Sequence, residues 1–449
     1  MRKYFGTDGV RGVANLAPLD PETLVRIGRA IAGVFLRSPR KHRILIGKDT
    51  RLSGYMIETA LASGITASGV DVMLTGPIPT PGVAYLTKSM RADAGIMISA
   101  SHNSFEDNGI KIFGADGYKL ADELEAEIEK MIDETAINHR ADATGIGKAT
   151  RINDAIGRYT VALKSEFPRE LSLEGMKIGL DCANGAGYIV APQTFNELGA
   201  EVVSRGISPN GKNINAGFGS LYPEVIQRIV LDQNLHLGVS LDGDGDRAIL
   251  VDEKGQIHDG DAVLAVMAID LKRRGKLKNN MVVGTVMSNL GLEKLLEREG
   301  ITLVRSAVGD RYVLEEMTKS GSILGGEQSG HTIFGEKSTT GDGILTALMV
   351  LSAMCRSGKT LSELTKELVR FPQKLINLPV KSKPAIDSVP AIKNIIKEKE
   401  SELMNNGRVL VRYSGTENKI RVMVECDDDT RCNKCASDIA EVISKEIGA

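Results

Sequence analysis

Strand patterns alternate with helix patterns in three successive stretches of this 449-residue sequence, and this alternation limits the fold more than any other feature. Arg43–Gly47 is a short apolar run typical of a buried strand, whereas Asp20 and Pro21 open a helix as its N-cap and first residue. Such alternation is typical of layered α/β domains. We therefore predict three similar α/β domains with mixed sheets and a C-terminal α+β domain, divided as 1–150, 151–255, 256–370 and 371–449.

Closely spaced prolines predict a loop inside the first domain. Pro77, Pro79 and Pro81 follow a predicted strand, and prolines at this spacing are unfavourable in helices and in central strands. We therefore expect residues 77–81 to form a loop that leads towards the next strand.

A serine lies where one predicted strand leaves the core. The apolar run Ala94–Met97 is followed by small and polar residues, among them Ser101, His102 and Asn103. A serine at a strand end can act as a nucleophile or carry a phosphoryl group. It can equally be an ordinary turn residue, because serine and asparagine form local turn hydrogen bonds.

Three carboxylates separated by glycines predict a metal site. Asp242, Asp244 and Asp246 can converge in a curled loop, where they repel one another unless a cation such as Mg²⁺ or Ca²⁺ binds. An EF-hand loop is the alternative, since Glu253 is at its twelfth position. Arg247 takes the sixth position, where that loop needs glycine, and strands flank the site, so we favour a divalent metal site of another kind.

Three further stretches combine basic side chains with glycines or hydroxyls, as anion sites do. Arg11 lies in the glycine-rich opening and can clamp a phosphate through its guanidinium group. Lys48 and Arg51 follow a strand and can share one anion, or form surface salt bridges instead. A late loop suits a phosphate, with a hairpin turn as the alternative, and contains Arg412, Ser414, Gly415 and Thr416, with Arg421 on the next predicted strand.

Glu327 and Ser329 end another predicted strand. An acceptor and a donor at this spacing suit sugar hydroxyls, although a capped turn has the same residues. His102 and His331 are candidates for a functional role only because each lies in one of these loops. Because these loops fall one per predicted domain, we expect the domains to surround a central cleft that contains the site.

Composition excludes several classes of protein. The net charge is −2 and no basic stripe is present, which argues against nucleic-acid binding. No apolar run is long enough to span a membrane, and the first residues lack a signal-peptide core. The five scattered cysteines suit reduced thiols and a cytoplasmic protein. Cys432 and Cys435 form a CxxC pair without a second pair nearby, a weak metal or redox signal.

Taken in order along the whole chain, these loops closely resemble the motifs of the α-D-phosphohexomutase family. The matching segments are Phe5–Gly12, Ser99–Asn103, Asp242–Arg247, Gly326–His331 and Ser414–Glu417. Two residues depart from the usual pattern, because Ser104 and Asn418 stand where the family usually has proline. Neither departure removes a ligand or a charge, so we expect activity to be retained.

The resemblance implies a role for each loop. Ser101 would carry a phosphoryl group, with Arg11, Lys111 and His102 close to it. One Mg²⁺ would be held by Asp242, Asp244, Asp246 and a phosphoserine oxygen, with Arg247 at the same loop. The sugar would contact Glu327, Ser329 and His331. The phosphate that does not react would contact Arg412, Ser414, Gly415, Thr416 and Arg421.

The resemblance also implies a mutase that moves phosphate between O6 and O1 of a hexose through a bisphosphate. Gln328 and the pair Ser99–Ala100 favour glucosamine phosphates, with glucosamine 1,6-bisphosphate as intermediate and activator, in the supply of cell-wall precursors. A mutase for mannose or glucose phosphates and a metal-dependent sugar phosphatase are the alternatives. Lys111 and His331 are candidates for the general base, and we expect small sugar phosphates as partners and a homodimer.

Overall fold

Four sheets follow one another along the chain. The computed structural model of the protein describes residues 3–6, 8–36, 40–133, 140–414 and 418–449. The strands of the first sheet are β1 (Phe5–Gly6), β2 (Gly9–Val13), β3 (Arg43–Lys48), β4 (Asp71–Pro77), β5 (Ala94–Ile98), β6 (Asp107–Gly114) and β7 (Ala149–Arg151). Its helices are α1 (Pro21–Phe35), α2 (Ser53–Ala67), α3 (Thr80–Ser89) and α4 (Asp122–Asp133). The sheet is mixed, in the order β1-β2-β6-β5-β3-β4-β7, with β3 parallel to β4 and β5.

The second and third sheets are also mixed and carry helices. The second unit contains α5 (Ala155–Glu166), β8 (Lys177–Asp181), α6 (Val190–Glu197), β9 (Glu201–Arg205), α7 (Glu224–Gln233), β10 (Leu237–Leu241), β11 (Ala248–Asp252) and β12 (Ile257–His258). The third contains α8 (Gly260–Arg273), β13 (Met281–Thr285), α9 (Leu290–Arg298), β14 (Thr302–Ser306), α10 (Asp310–Ser320), β15 (Leu324–Gly326), β16 (Thr332–Phe334), α11 (Gly343–Ser357) and α12 (Leu361–Leu364). Their strand orders are β12-β11-β10-β8-β9 and β14-β13-β15-β16.

The fourth unit is built differently, as an antiparallel sheet with two long helices. It contains β17 (Gln373–Pro379), α13 (Pro390–Leu403), β18 (Gly407–Tyr413), β19 (Lys419–Cys426) and α14 (Asp429–Ile447). The strand order is β17-β19-β18. The predicted fold class, three α/β units and a C-terminal α+β unit, is therefore confirmed. Short 3₁₀ turns lie at Lys278–Asn280, Ile386–Ser388 and Met404–Asn406.

Helix α1 shows how local sequence determines an element. The Asp20 side chain accepts a hydrogen bond from the Thr23 amide at 2.9 Å, and Pro21 takes the first helical position, where its missing N–H costs nothing. Leu24, Ile27 and Ile31 recur at helical spacing and are fully buried. The predicted start of this helix is confirmed.

Helix α3 corrects the prediction of a loop over 77–81. The helix begins at Thr80, directly after Pro79, and Pro81 lies in its first turn. Proline is unfavourable only in a helix interior, where it removes a hydrogen bond and clashes with the preceding turn. The proline cluster therefore marks a helix start, and the following residues to Ser89 are helical.

The fourth unit has a core of its own. One apolar cluster runs through the first three sheets and includes Leu45, Leu180 and Val282, whereas the C-terminal cluster lies within residues 380–447. Polar contacts join the fourth unit to the third: Arg408 donates to the carbonyls of Val286 and Ser288, at 2.9 and 2.7 Å. Glu425, fully buried, accepts from the Leu290 amide at 3.2 Å and pairs with Arg408. We call this the Arg408–Glu425 joint.

No cysteine belongs to a cluster of three or more potential metal ligands in the described part of the chain. All five are free thiols, and Cys432 and Cys435 are buried on α14 within the C-terminal core. Burial raises the pKa of Cys432 to about 11, so it is a neutral thiol at ordinary pH. Among the described helices, none combines the length and the apolar character that a membrane crossing needs.

Asp261, beside the joint, should make stability depend on pH. Its carboxylate accepts from the Asn289 amide at 2.8 Å, and burial raises its pKa from 3.8 to about 6. The folded state therefore keeps a proton that the unfolded state has lost, and stability falls as pH rises from about 4 to about 6. The difference between these pKa values corresponds to roughly 3 kcal/mol.

In Asp261→Asn this contribution is absent. We expect the melting temperature of the variant, relative to the unchanged protein, to rise between pH 4 and pH 6. Thermal unfolding followed by circular dichroism at several pH values measures this difference, with Asp232→Asn at an exposed position as the control. A difference that does not change with pH would contradict the assignment.

Candidate active site

Ser101 lies just after β5, where the strand leaves the sheet. The residue is 2% exposed and has a left-handed backbone conformation, with φ of 51°. Its hydroxyl donates to Oδ2 of Asp242 at 2.7 Å. Ser101 and the aspartate loop, which are 141 residues apart in the sequence, therefore meet at one place.

The aspartate loop follows β10, a fully buried strand of the second sheet. Asp242, Asp244 and Asp246 are each at most 4% exposed, and one carboxylate oxygen from each lies within 4.8 Å of the others. A Cβ at Gly243 would lie only 2.5 Å from the Ser101 carbonyl oxygen, so the close approach of the two loops requires glycine there. The three carboxylates therefore converge, as predicted from their spacing.

These carboxylates have the features of a cation site. Oδ1 of Asp244 and Oδ1 of Asp246 are buried, and neither has a hydrogen-bond partner within the described residues. Buried anionic oxygens without partners are costly, and a hard divalent cation with oxygen ligands would satisfy them. Burial, together with the charges of Asp246 and Asp244, raises the pKa of Asp242 well above its ordinary value, and a bound cation would oppose that effect.

Lys111 supplies positive charge to the same cluster. Its ammonium lies 3.2 Å from Asp244, 3.4 Å from Asp8 and 3.6 Å from Asp246. Burial lowers the pKa of this lysine, but the three carboxylates outweigh burial and raise it well above its ordinary value. Lys111 is therefore charged, and its pairing keeps the pKa of Asp244 low despite burial.

Arg11 reaches the cluster through Asp8. The Arg11 guanidinium pairs with one carboxylate oxygen of Asp8, and the ammonium of Lys119 pairs with the other. Lys119 also contacts Asp310 of the third unit at 2.6 Å. Asp8 thus pairs with three cations of the first unit, and Lys119 links that unit to the third.

The two histidines lie in different surroundings. His102 Nδ1 is 3.3 Å from the Ser101 hydroxyl, and burial, with Arg247 and Arg11 nearby, lowers its pKa. His331 is 2% exposed, and its Nε2 lies 3.9 Å from Asp246 Oδ2. Neither ring nitrogen of His331 has a hydrogen-bond partner within the described residues.

A cavity of about 610 Å³ opens over these groups. Its lining joins the first three units, with Ser101 and Lys111 from the first, Arg247 from the second, and Glu327 and His331 from the third. Glu327 is oriented by the Gly309 amide, which donates to its carboxylate at 2.9 Å. Ser329 is exposed and does not line this cavity.

Two arginines face each other on the strands that flank the C-terminal loop. Arg412 on β18 lies directly opposite Arg421 on β19, and burial, together with the charge of Arg421, lowers the pKa of Arg412. Like charges in such pairs favour a bound anion. Ser414 is buried and its carbonyl accepts from Lys383 at 2.9 Å, whereas Gly415 and Thr416 lie outside the described residues. In the described part of the fourth unit no residue lines the cavity.

Lys48 and Arg51 do not share an anion, which corrects both interpretations drawn from the sequence. Lys48 is buried, pairs with Glu58 and lies 4.1 Å from the ring centre of Tyr55. Arg51 is fully buried, so it does not form a salt bridge on the surface either. Its Nε donates to Asp49 at 2.8 Å, and its remaining groups hold backbone carbonyls of the Ser101 loop.

Sequence reasoning missed several groups at this site. Thr80, the first residue of α3, donates to Asp244 at 2.6 Å. Asn215 donates to the carbonyls of Ser101 and Asn103, at 2.9 and 2.8 Å. Asp310 and Lys119 were also missed, because single polar residues of this kind carry no pattern by themselves.

Models of one family match nearly the whole chain. The phosphoglucomutase/phosphomannomutase α/β/α domains I, II and III match residues 2–138, 157–255 and 259–371, and the C-terminal domain of that family matches residues 375–442.

Individual proteins are similar over the same length. The chain is 55% identical to a phosphoglucosamine mutase of Geobacter metallireducens, covering 100% of both chains. It is 54% identical to a phosphoglucosamine mutase of Myxococcus xanthus, covering 99% of this chain and 98% of the relative. A crystal structure of a phosphoglucomutase/phosphomannomutase family protein from Burkholderia thailandensis has the same fold, with a TM-score of 0.81, 22% identity and 99% of both chains covered.

Proposed function

This chain belongs to the phosphoglucomutase/phosphomannomutase family, and from that premise we propose how its residues carry out the reaction. Its activity is that of its full-length relatives: it is an isomerase that interconverts glucosamine 6-phosphate and glucosamine 1-phosphate. The observation that carries our mechanism is the 2.7 Å contact of the Ser101 hydroxyl, on a residue that lines the cavity, with Asp242.

In the proposed reaction, Ser101 carries the phosphoryl group that is transferred. The phosphorus–oxygen bond to Ser101 breaks as a new bond forms to the free sugar hydroxyl, which gives glucosamine 1,6-bisphosphate and a free serine. The bisphosphate then presents its other end, and that phosphoryl group returns to Ser101. Phosphoryl transfer of this kind depends on positioning and on neutralising charge.

Lys111 and Arg11 neutralise the charge that develops on the phosphoryl oxygens. Lys111 is held in its charged form by Asp8, Asp244 and Asp246, so it is suited to this role and not to accepting a proton. Of the two candidates for the general base, this leaves His331, whose buried ring faces the same cavity. His331 would accept the proton of the attacking hydroxyl, and the leaving Ser101 oxygen would take up a proton from solvent to give the free serine.

Magnesium fits the three aspartates. The Asp244 and Asp246 oxygens without hydrogen bonds are hard ligands, and Asp242 already contacts Ser101, where a phosphoserine oxygen would complete the set. A divalent ion there would supply Lewis-acid stabilisation to the transferring phosphoryl group. Asp242, Asp244 and Asp246 are the residues that would hold it.

The remaining candidate residues divide between sugar and phosphate. We propose that Glu327 and Ser329 bind the sugar hydroxyls, and that Arg247 lies at the metal loop. Arg412, Ser414, Gly415, Thr416 and Arg421 would hold the phosphate that is not reacting. The segments 1–150, 151–255, 256–370 and 371–449 would then act as the phosphoserine, metal, sugar and phosphate domains.

Phosphorus NMR tests the reaction together with its substrate. Glucosamine 6-phosphate is mixed with the purified protein, Mg²⁺ and a trace of glucosamine 1,6-bisphosphate. We expect a growing 1-phosphate signal. Release of inorganic phosphate instead would favour a phosphatase, and turnover of mannose or glucose 6-phosphate alone would favour the sibling mutases.

Replacing Arg412 with methionine should weaken sugar-phosphate binding. The change removes one of two facing guanidinium groups, and we expect KM for glucosamine 6-phosphate to rise by roughly 10- to 100-fold, since a charge-assisted contact contributes about 1.5–3 kcal/mol. Steady-state kinetics measures this, with Arg431→Met on α14 as the control from the same unit. An unchanged KM would contradict the phosphate role of this loop.

Two further properties stay predictions. We propose a cytoplasmic location, supported by five free cysteines. We also propose a homodimer, which light scattering coupled to size-exclusion chromatography would test against a monomer.

A further inference from the structure

The loop that contains Ser101 is held by donors from two different units. Arg51, on the loop after β3, donates through Nη2 to the carbonyls of Ser101 and Asn103, at 2.9 and 2.8 Å. Asn215, from the second unit, donates through Nδ2 to the same two carbonyls, at 2.9 and 2.8 Å. Each carbonyl thus accepts from both donors.

These contacts matter because the Ser101 backbone is strained. A φ of 51° lies in the left-handed region, where an ordinary side chain is disfavoured and persists only if its surroundings hold it. The Ser101 amide is held as well, by the hydroxyl of Ser99 at 2.9 Å, and that hydroxyl donates to Asp49 at 2.6 Å. Asp49 in turn pairs with Arg51, so the contacts form a closed ring.

The two donors are also anchored to the unit that contains the aspartate loop. Next to Arg51, the Thr50 hydroxyl donates to the Asn184 carbonyl at 2.5 Å, and the Leu52 amide donates to the Gly211 carbonyl at 2.8 Å. The Asn215 amide donates to the Ala183 carbonyl at 2.8 Å. The backbone of Ser101 is therefore fixed relative to the second unit and its Asp242.

We propose that Arg51 and Asn215 are positioning residues, which hold Ser101 in the left-handed conformation that aims its hydroxyl at the aspartate loop. Neither reaches the transferred group through its own side chain in this arrangement, since both bind backbone carbonyls. The inference rests on the proposed role of Ser101 as phosphoryl donor. Beyond that role, we infer that contacts from two units support the Ser101 loop. Loss of these contacts would displace the nucleophile without removing a charged group from the cavity.

Asn215 offers the sharper test, because it can be changed without removing the buried guanidinium. Asn215 itself has φ of 58°, so Asn215→Gly keeps the backbone favourable while removing the amide. Asn234 also has a left-handed conformation, with φ of 49°, but lies exposed at the end of α7. Asn234→Gly is therefore the matched control.

In Asn215→Gly we expect kcat to fall by roughly 10- to 100-fold, because small misplacements of a reacting group have effects of this size. The KM for glucosamine 6-phosphate should change by less than about threefold, since the sugar contacts are untouched. Asn215→Asp keeps the shape of the side chain but faces two carbonyl oxygens with an acceptor, so its loss should be larger. Asn234→Gly should retain the kcat of the unchanged protein.

Intact-protein mass spectrometry gives a second readout, the rate at which Ser101 is phosphorylated by glucosamine 1,6-bisphosphate. We expect slower phosphorylation in Asn215→Gly and Asn215→Asp, at temperatures where circular dichroism shows both to be folded. Rates equal to that of the unchanged protein in both variants would overturn the inference, as would equal losses in Asn234→Gly. If the unchanged protein is not phosphorylated on Ser101, the proposed donor role fails and this inference fails with it.

Discussion

Replacing Ser101 with alanine is expected to lower the turnover of glucosamine 6-phosphate by at least about 10³-fold, as loss of a nucleophile does in other covalent mechanisms. The hydroxyl removed is the one that donates to Asp242 at 2.7 Å, and in the described cavity lining no other serine, threonine or cysteine is present to replace it. The rate at which glucosamine 1-phosphate forms, followed in a coupled enzyme assay, measures the effect. The fold should persist, because the change removes one hydroxyl and leaves the Arg51 contacts to the backbone carbonyls in place.

Ser104→Ala is the matched control for this prediction. Ser104 lies in the same loop but is exposed, and only its carbonyl is used by Arg51. The control should turn over at the rate of the unchanged protein. Turnover of Ser101→Ala near that rate would exclude a phosphoserine at this position.

Replacing Asp244 with asparagine is expected to have the second-largest effect. The change removes a negative charge from the trio, although the hydrogen bond from Thr80 can persist. It also leaves Lys111 less neutralised, because Asp244 is its nearest carboxylate, at 3.2 Å. Since a divalent ion contributes several kcal/mol to such a transfer, we expect kcat to fall by roughly 10³-fold.

The metal requirement can be measured separately from turnover. We expect Asp244→Asn to need a higher Mg²⁺ concentration for half-maximal activity and to show weaker Mg²⁺ binding by isothermal titration calorimetry. Asp232→Asn, an exposed aspartate in the same unit, should match the unchanged protein in both measurements. Equal Mg²⁺ affinity in the two variants would show that the ion is not held by this trio.

The groups that the sequence predicts best are those whose chemistry is local. Asp242, Asp244 and Asp246 repel one another within one short loop, so their spacing alone indicates a cation. Ser101 lies just after a strand, and the change from apolar to small and polar residues shows where the chain leaves the sheet. The fold class is equally readable, because each α/β unit repeats the same strand and helix periodicities.

Other features depend on contacts between distant segments, which no local pattern contains. A basic loop side chain can bind an anion or a row of carbonyls, and Arg51 does the latter because residues 101–107 pack over it. Asn215 is one of many asparagines, and nothing in its neighbours indicates that it meets residues more than 100 positions earlier. The proline cluster at α3 misled for a different reason, since the same residues open helices and end them.

The separate core of the fourth unit has a consequence for how the intermediate turns around. If the fourth unit holds one phosphate of the bisphosphate, as we propose, that phosphate must be released before the two ends can exchange, and a unit with an independent core can move as a rigid body to release it. The hydrogen bonds between the third and fourth units would have to rearrange, among them those of the Arg408–Glu425 joint and those of Asn289 with Phe371, whereas Ser101 and Asp242 could keep their spacing. We would then expect a small molecule bound at this joint to inhibit turnover noncompetitively with respect to the sugar phosphate.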